Sequence, residues 1–100
     1  MLIAILDLVT AATDRPAALA QLDGEQAAIH AMPGNVAFRV YAWRDDETRV
    51  TVVAEWDDEP SFRSYLESDA FARSGAVLRP MLTEAPVSRR FDAEILETVN

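Results

Sequence analysis

Two consecutive apolar runs, Val36 to Trp43 and Arg49 to Trp56, flank the acidic stretch Asp45-Asp46-Glu47-Thr48, and this pair constrains the fold more than any other feature. Both runs are short, rich in β-branched and aromatic residues, and separated by polar residues, which predicts a β-hairpin. Side chains alternate along a strand. With the turn centred on Asp46-Glu47, Tyr41 falls opposite Val52 and Trp43 opposite Val50. One face then carries Ala37, Arg39, Tyr41, Trp43, Val50, Val52, Ala54 and Trp56, and is assigned to the helices. The other carries Phe38, Val40, Ala42, Thr51, Val53 and Glu55. Both faces are largely apolar, so both sides of the sheet need cover. The assignment hinges on the turn, because a one-residue slip flips one strand.

The remaining segments complete a βαββαβ order. Leu2 to Thr10 is apolar on both faces and reads as a buried strand. Thr13 or Asp14 can cap a helix with Pro16 in its first turn, running to about Ala31 with Leu19, Leu22, Gln26 and Ile29 on one side. Pro33-Gly34-Asn35 ends it. Asp57-Asp58-Glu59-Pro60 opens a second helix, with acids at the positive end of the dipole. Ser68-Asp69 reads as another cap, after which Phe71, Gly75 and Leu78 share a face. Val87 to Val99 reads as the last strand. This is the ferredoxin-like plan: an α+β domain with a four-stranded antiparallel sheet and both helices on one face. A sheet face left bare, with Phe38, Val40 and Val53 on it, predicts an interface, and a two-fold partner is the commonest solution.

Composition narrows the chemistry. The 100 residues form a single domain, 1–100. Seventeen acids face nine arginines, for a net charge of −8, which argues against nucleic-acid and anionic-membrane partners. There is no cysteine and no lysine, which removes thiolate, Schiff-base and lysine-anchored pyridoxal chemistry. One histidine removes multi-histidine metal sites. The acidic loops lack the spaced oxygen ligands and glycine of a calcium loop, so no metal is expected. Asp7 interrupts the first apolar run and no basic segment precedes it, so a cytoplasmic protein is the expectation.

Carboxylates, arginines, aromatics and one imidazole remain as candidates. Asp7 lies within the apolar strand Ile3 to Val9. A buried, unpaired carboxylate is a poised general base; one paired with an arginine or at a wet strand end is structural. Tyr41, Trp43 and Trp56 would form an aromatic wall for a flat substrate, or plain core. Arg39 on that face needs an anion, either Asp7 or a substrate oxyanion, unless it reaches solvent at a strand edge. His30 is a proton shuttle or a cation suited to the helix C-terminus. Tyr65 either looks into a pocket or is a core tyrosine.

Met32-Pro33-Gly34-Asn35, the strand Val36 to Tyr41, Glu55-Trp56-Asp57 and Ser68-Asp69-Ala70-Phe71 resemble the antibiotic biosynthesis monooxygenase domain, over nearly the whole chain. The resemblance implies a dimeric α/β barrel with two sheets packed face to face. It implies a pocket between sheet and helices, and cofactor-independent oxidation of quinols or anthrone-type polyketides by dioxygen. Trp56 matches a pocket tryptophan of the family. Val52 and Phe62 stand where polyketide oxygenases carry asparagine and tyrosine, which places both in the substrate-binding wall. The haem-degrading branch has a histidine near Gly75 and an asparagine midway along strand one, where this chain has Asp7. Many quinol-type members have a histidine near Ala70. Both histidines are absent. The resulting expectation is a cofactor-free oxygenase with Asp7 or His30 as base, and Arg39 and the Trp56 N–H at the oxyanion. Tyr41, Trp43, Val52, Phe62 and Tyr65 would hold the substrate. Fold likeness also accommodates a non-catalytic binding protein, or a proton-transfer isomerase or cyclase.

Overall fold

The computed structural model describes residues 1–100. Strand β1 (Leu2–Val9) is followed by helix α1 (Arg15–His30) and the hairpin β2 (Asn35–Ala42) and β3 (Arg49–Trp56). Helices α2 (Glu59–Leu66) and α3 (Asp69–Leu78), a 3₁₀ turn at Arg79–Met81 and strand β4 (Val87–Asp92) complete the chain. The sheet order is β2-β3-β1-β4, with all three pairings antiparallel. This is the ferredoxin-like topology expected from the sequence. No helix is long and apolar enough to cross a membrane.

Local chemistry explains the boundaries. Asp14 occupies the N-cap of α1 without a capping bond from its side chain, and Pro16 lies in the first turn. Ala18, Leu22 and Ile29 form the buried stripe of α1. Gly34, with φ +84, makes the turn into β2, and its carbonyl accepts from the Asp57 N–H at 2.8 Å. A side chain there would collide with Ser61, so glycine is required for space as well as for φ. The second helical region is divided in two, each half with its own cap. Asp58 Oδ1 accepts from the Ser61 N–H at 2.9 Å, and Ser68 Oγ accepts from the Phe71 N–H at 3.1 Å.

The hairpin register departs from the symmetric turn by one residue. Tyr41 pairs with Thr51 and Ala42 with Val50. The Trp43 N–H donates to the Arg49 carbonyl at 3.3 Å, so the connection is odd in length and centred on Asp46. Asp46 itself fixes that geometry. Its Oδ1 accepts from the Thr48 N–H at 3.0 Å and from Thr48 Oγ1 at 2.6 Å, and its Oδ2 accepts from Arg49 Nε at 2.9 Å. Arg15 Nη1 reaches across from α1 to the Trp43 and Asp46 carbonyls at 2.9 and 3.0 Å. The consequence corrects the assignment of β2: Phe38 and Val40 face the helices, while Arg39, Tyr41 and Trp43 lie on the open face. The assignment of β3 stands, with Val50, Val52, Ala54 and Trp56 buried. The last strand is also shorter than expected, because regular structure ends at Asp92.

The core lies between the sheet and the helices, where Trp56, Ile29 and Val50 are the largest fully buried apolar side chains. No helix covers the opposite face of the sheet. Tyr41, Trp43, Val87 and Phe91 are between 42 and 54 % exposed there.

Candidate active site: an apolar cavity with two arginines

A cavity of about 260 Å³ opens between the inner face of the sheet and α2, α3 and the 3₁₀ turn. Its floor follows from the strand register. One row across the sheet reads Arg90, Ala4, Ala54, Phe38; the next reads Ser88, Leu6, Val52, Val40. Two adjacent alanines at the centre of the first row leave the floor low, and that is where the space arises. Phe62, Tyr65, Phe71 and Leu78 form the helical wall. Rings stack behind and beside it: Tyr65 lies 5.2 Å from Trp56 at 27° and edge-on to Phe71 at 5.1 Å. Burial, with a smaller contribution from Glu25, pushes the Tyr65 hydroxyl up to about 12. Near neutral pH Tyr65 is therefore a neutral hydroxyl that can donate a hydrogen bond.

The polar groups of the cavity are Ser74, Arg79, Ser88 and Arg90. No aspartate, glutamate or histidine lines it. Arg90 crosses the Phe62 ring with its guanidinium carbon 5.0 Å from the centroid, and its Nε donates to Ser88 Oγ at 3.2 Å. Arg79 folds back over Gly75, with a guanidinium nitrogen 3.2 Å from where a β-carbon would sit. The ion pairs of the chain use Arg39, Arg49, Arg63, Arg89 and the amino terminus, and neither cavity arginine takes part in one. An arginine beside an apolar hollow without an acidic partner is a ready anion site.

The predicted residues are only partly brought together. Val52, Phe62 and Tyr65 line the cavity. Trp56 is fully buried behind Tyr65 and Phe62, and its Nε1 has no hydrogen-bond partner. His30 is exposed at the end of α1, away from the cavity. Asp7, Arg39, Tyr41 and Trp43 sit on the opposite face of the sheet, so they do not converge with Trp56 on one hollow. The reason is the register for the three β2 residues, and for Asp7 its odd position in a strand whose even positions point inward.

Asp7 has partners on that face. Thr51 Oγ1 donates to Asp7 Oδ1 at 2.7 Å, Trp43 Nε1 donates to Thr51 Oγ1 at 2.9 Å, and Arg89 stands 3.7 Å from Asp7 Oδ2. The chain of contacts ties all four strands together. Arg39 pairs with Glu55 at 2.6 Å. No group of three acidic, histidine or cysteine side chains is placed to hold a metal ion.

A family pattern described as antibiotic biosynthesis monooxygenase matches residues 1–76, which span β1 through most of α3. The chain belongs to the antibiotic biosynthesis monooxygenase family. Solved structures agree on the fold of this family member. A Deinococcus radiodurans protein carrying the same family name superposes with a TM-score of 0.91 at 13 % identity, over 100 % of this chain and 99 % of that one. One from Nitrosomonas europaea gives 0.87 at 14 % identity, over 93 % and 98 %. One from Caulobacter crescentus gives 0.80 at 18 % identity, over 94 % and 90 %. No curated protein matches the monooxygenase-family chain in sequence.

Reading the sequence missed Ser74, Arg79, Ser88 and Arg90. A signal for Arg90 existed. It alternates with Arg89 and Phe91 along β4, so one of the two arginines had to point inward, and opposite it β1 offers only the small Ala4.

Proposed function

We propose that this chain is a cofactor-independent monooxygenase that oxidises an electron-rich aromatic, an anthrone-type polyketide or a quinol, in the cavity between sheet and helices. The carrying observation is the pairing of an apolar, ring-lined hollow with Arg79 and Arg90, both without acidic partners. Family membership supports the reaction class.

The proposed reaction takes its electrons from the substrate. A guanidinium beside an acidic hydroxyl or enol favours the ionised form, so the proton leaves to water at the cavity mouth. This replaces the expected route through Asp7 or His30, since neither borders the cavity. The anion passes one electron to dioxygen, and the resulting superoxide and substrate radical combine at carbon. The hydroperoxide then loses water and leaves a carbonyl. One oxygen atom of dioxygen enters the product and the other leaves as water. The chain contributes placement among Phe62, Tyr65 and Phe71, and a fixed positive field at the oxyanion.

The open sheet face fits a second copy of the chain. Its acids are matched by arginines in the pairs Asp7–Arg89 and Arg39–Glu55, on a chain whose net charge is −8. Face-to-face association would cover Tyr41, Trp43, Val87 and Phe91.

Incubation with an anthrone or a naphthohydroquinone under isotope-labelled dioxygen tests the reading. One labelled oxygen per product and stoichiometric oxygen uptake are expected. Retention of the aromatic without uptake would leave a binding protein. Solvent-deuterium exchange into the substrate without uptake would indicate an isomerase or cyclase, although a cavity lined by no carboxylate or imidazole is poorly equipped for that role.

A further inference from the structure

We infer that the cavity selects aromatics that carry a carboxylate in addition to the oxidisable ring oxygen, with Arg90 as the residue that binds the carboxylate. The inference rests on the cavity described above and narrows the substrate class of the proposed reaction.

The argument begins with charge. The cavity presents two guanidiniums and no carboxylate. A ligand that fills it strips water from both arginines, and a charge desolvated without a counter-charge is costly. A single phenolate or enolate satisfies one guanidinium. The second needs another anion, and the ligand is the place it can come from.

Geometry divides the roles. The two arginines come from different walls and are held independently. Arg79 lies over Gly75 on the helical side, one turn after the buried Ser74. Arg90 comes from β4 and is pinned by the Phe62 ring and by Ser88. Its Nε is used by Ser88, so its two terminal nitrogens stay free for the two oxygens of a carboxylate. Arg90 also borders a second, shallower hollow shared with Asp57, Asp58, Glu59 and Asp92. It therefore stands at the rim, where a strongly hydrated group belongs. Ser74 and Arg79 face the reacting oxygen.

Size sets the ring count. A cavity of ~150 Å³ accommodates a benzene ring. At about 260 Å³, this one accommodates two fused rings, with further substituents directed past Arg90. The class is thus a one- or two-ring hydroxyaryl carboxylate.

Calorimetry under nitrogen, with naphthohydroquinone and dihydroxynaphthoic acid as probes, separates binding from turnover. The acid is expected to bind about ten- to a hundredfold more tightly, the value of one charge-assisted contact. In Arg90→Gln that preference should shrink to about twofold or less, while Arg90→Lys should retain part of it as a charge without the fork. Circular dichroism of each variant confirms folding, which this exposed side chain does not govern. Equal affinity of the native chain for the two probes overturns the carboxylate inference. Full preference in Arg90→Gln overturns the assignment to Arg90. Tight, Arg90-dependent binding of the acid with no oxygen uptake on admitting air would uphold the ligand class and refute the oxygenase reading instead.

Discussion

Replacing Ala54 by leucine puts the cavity itself to a test whose sign is decided by packing. Ala54 is 5 % exposed, lies on the central strand β3, and sits between Ala4 and Phe38 on the cavity floor. Leucine adds three carbons, each worth ~0.8 kcal/mol when buried, for a gain of up to about 2.4 kcal/mol if the hollow receives them. If the floor were already packed, the same carbons would cost ~1–3 kcal/mol through forced rotamers and backbone shifts. The two cases therefore differ in sign. The hollow of about 260 Å³ has room for the leucine, so stabilisation is expected. For a domain of this size ~1 kcal/mol moves Tm by ~4–8 °C, so melting by circular dichroism should rise on the order of 10 °C. The filled floor also displaces the substrate, and oxygen uptake should fall by roughly a hundredfold, the scale of an ångström's misplacement. A lowered Tm refutes the cavity. A raised Tm with undiminished uptake places the reaction elsewhere.

Val53→Asp puts a charge at the centre of the open sheet face, and sedimentation should show a species near 11.1 kDa where the native chain gives twice that mass; an unchanged mass distribution would remove the open face from the association. Arg79→Gln should move the pH profile of oxygen uptake to higher pH while retaining rate on the alkaline side, because the substrate must ionise without the guanidinium; a profile that stays in place dissociates Arg79 from the reacting anion. Hydrogen bonds from Thr48 hold the Asp46 carboxyl below the usual carboxylate range, and bonds from Ser61 do the same for Asp58. Each depressed value stabilises the fold above the ordinary pKa of ~3.9 and loses that contribution as pH falls through the lower, folded value. Asp46→Asn and Asp58→Asn should therefore flatten the slope of stability against pH below about pH 4, measured by urea unfolding, and an unaltered slope would discount both bonds.

Much of the fold is legible because its signals are local. The caps at Asp58 and Ser68, the glycine turn at Gly34 and the alternation of β3 act within a few residues of themselves, and each stands where the pattern puts it. The site depends on two features that are not local. The first is the hairpin connection. A turn centred between Asp46 and Glu47 and one centred on Asp46 are equally polar as sequence, yet they place β2 in opposite orientations. What separates them is the acceptance by Asp46 of bonds from Thr48 and Arg49, together with an arginine from α1 that binds the loop carbonyls. The second is pairing between strands at opposite ends of the chain, which sets Arg90 beside Ala4 and turns two small residues and one long cation into a cavity with a charged rim. The aromatic triplet Arg39, Tyr41 and Trp43, which looks like a binding wall in isolation, becomes part of the open face by a shift of one residue. The anion site comes from arginines whose significance depends on the absence of acids around them, and that absence is a property of three-dimensional neighbours in a chain that is otherwise strongly acidic.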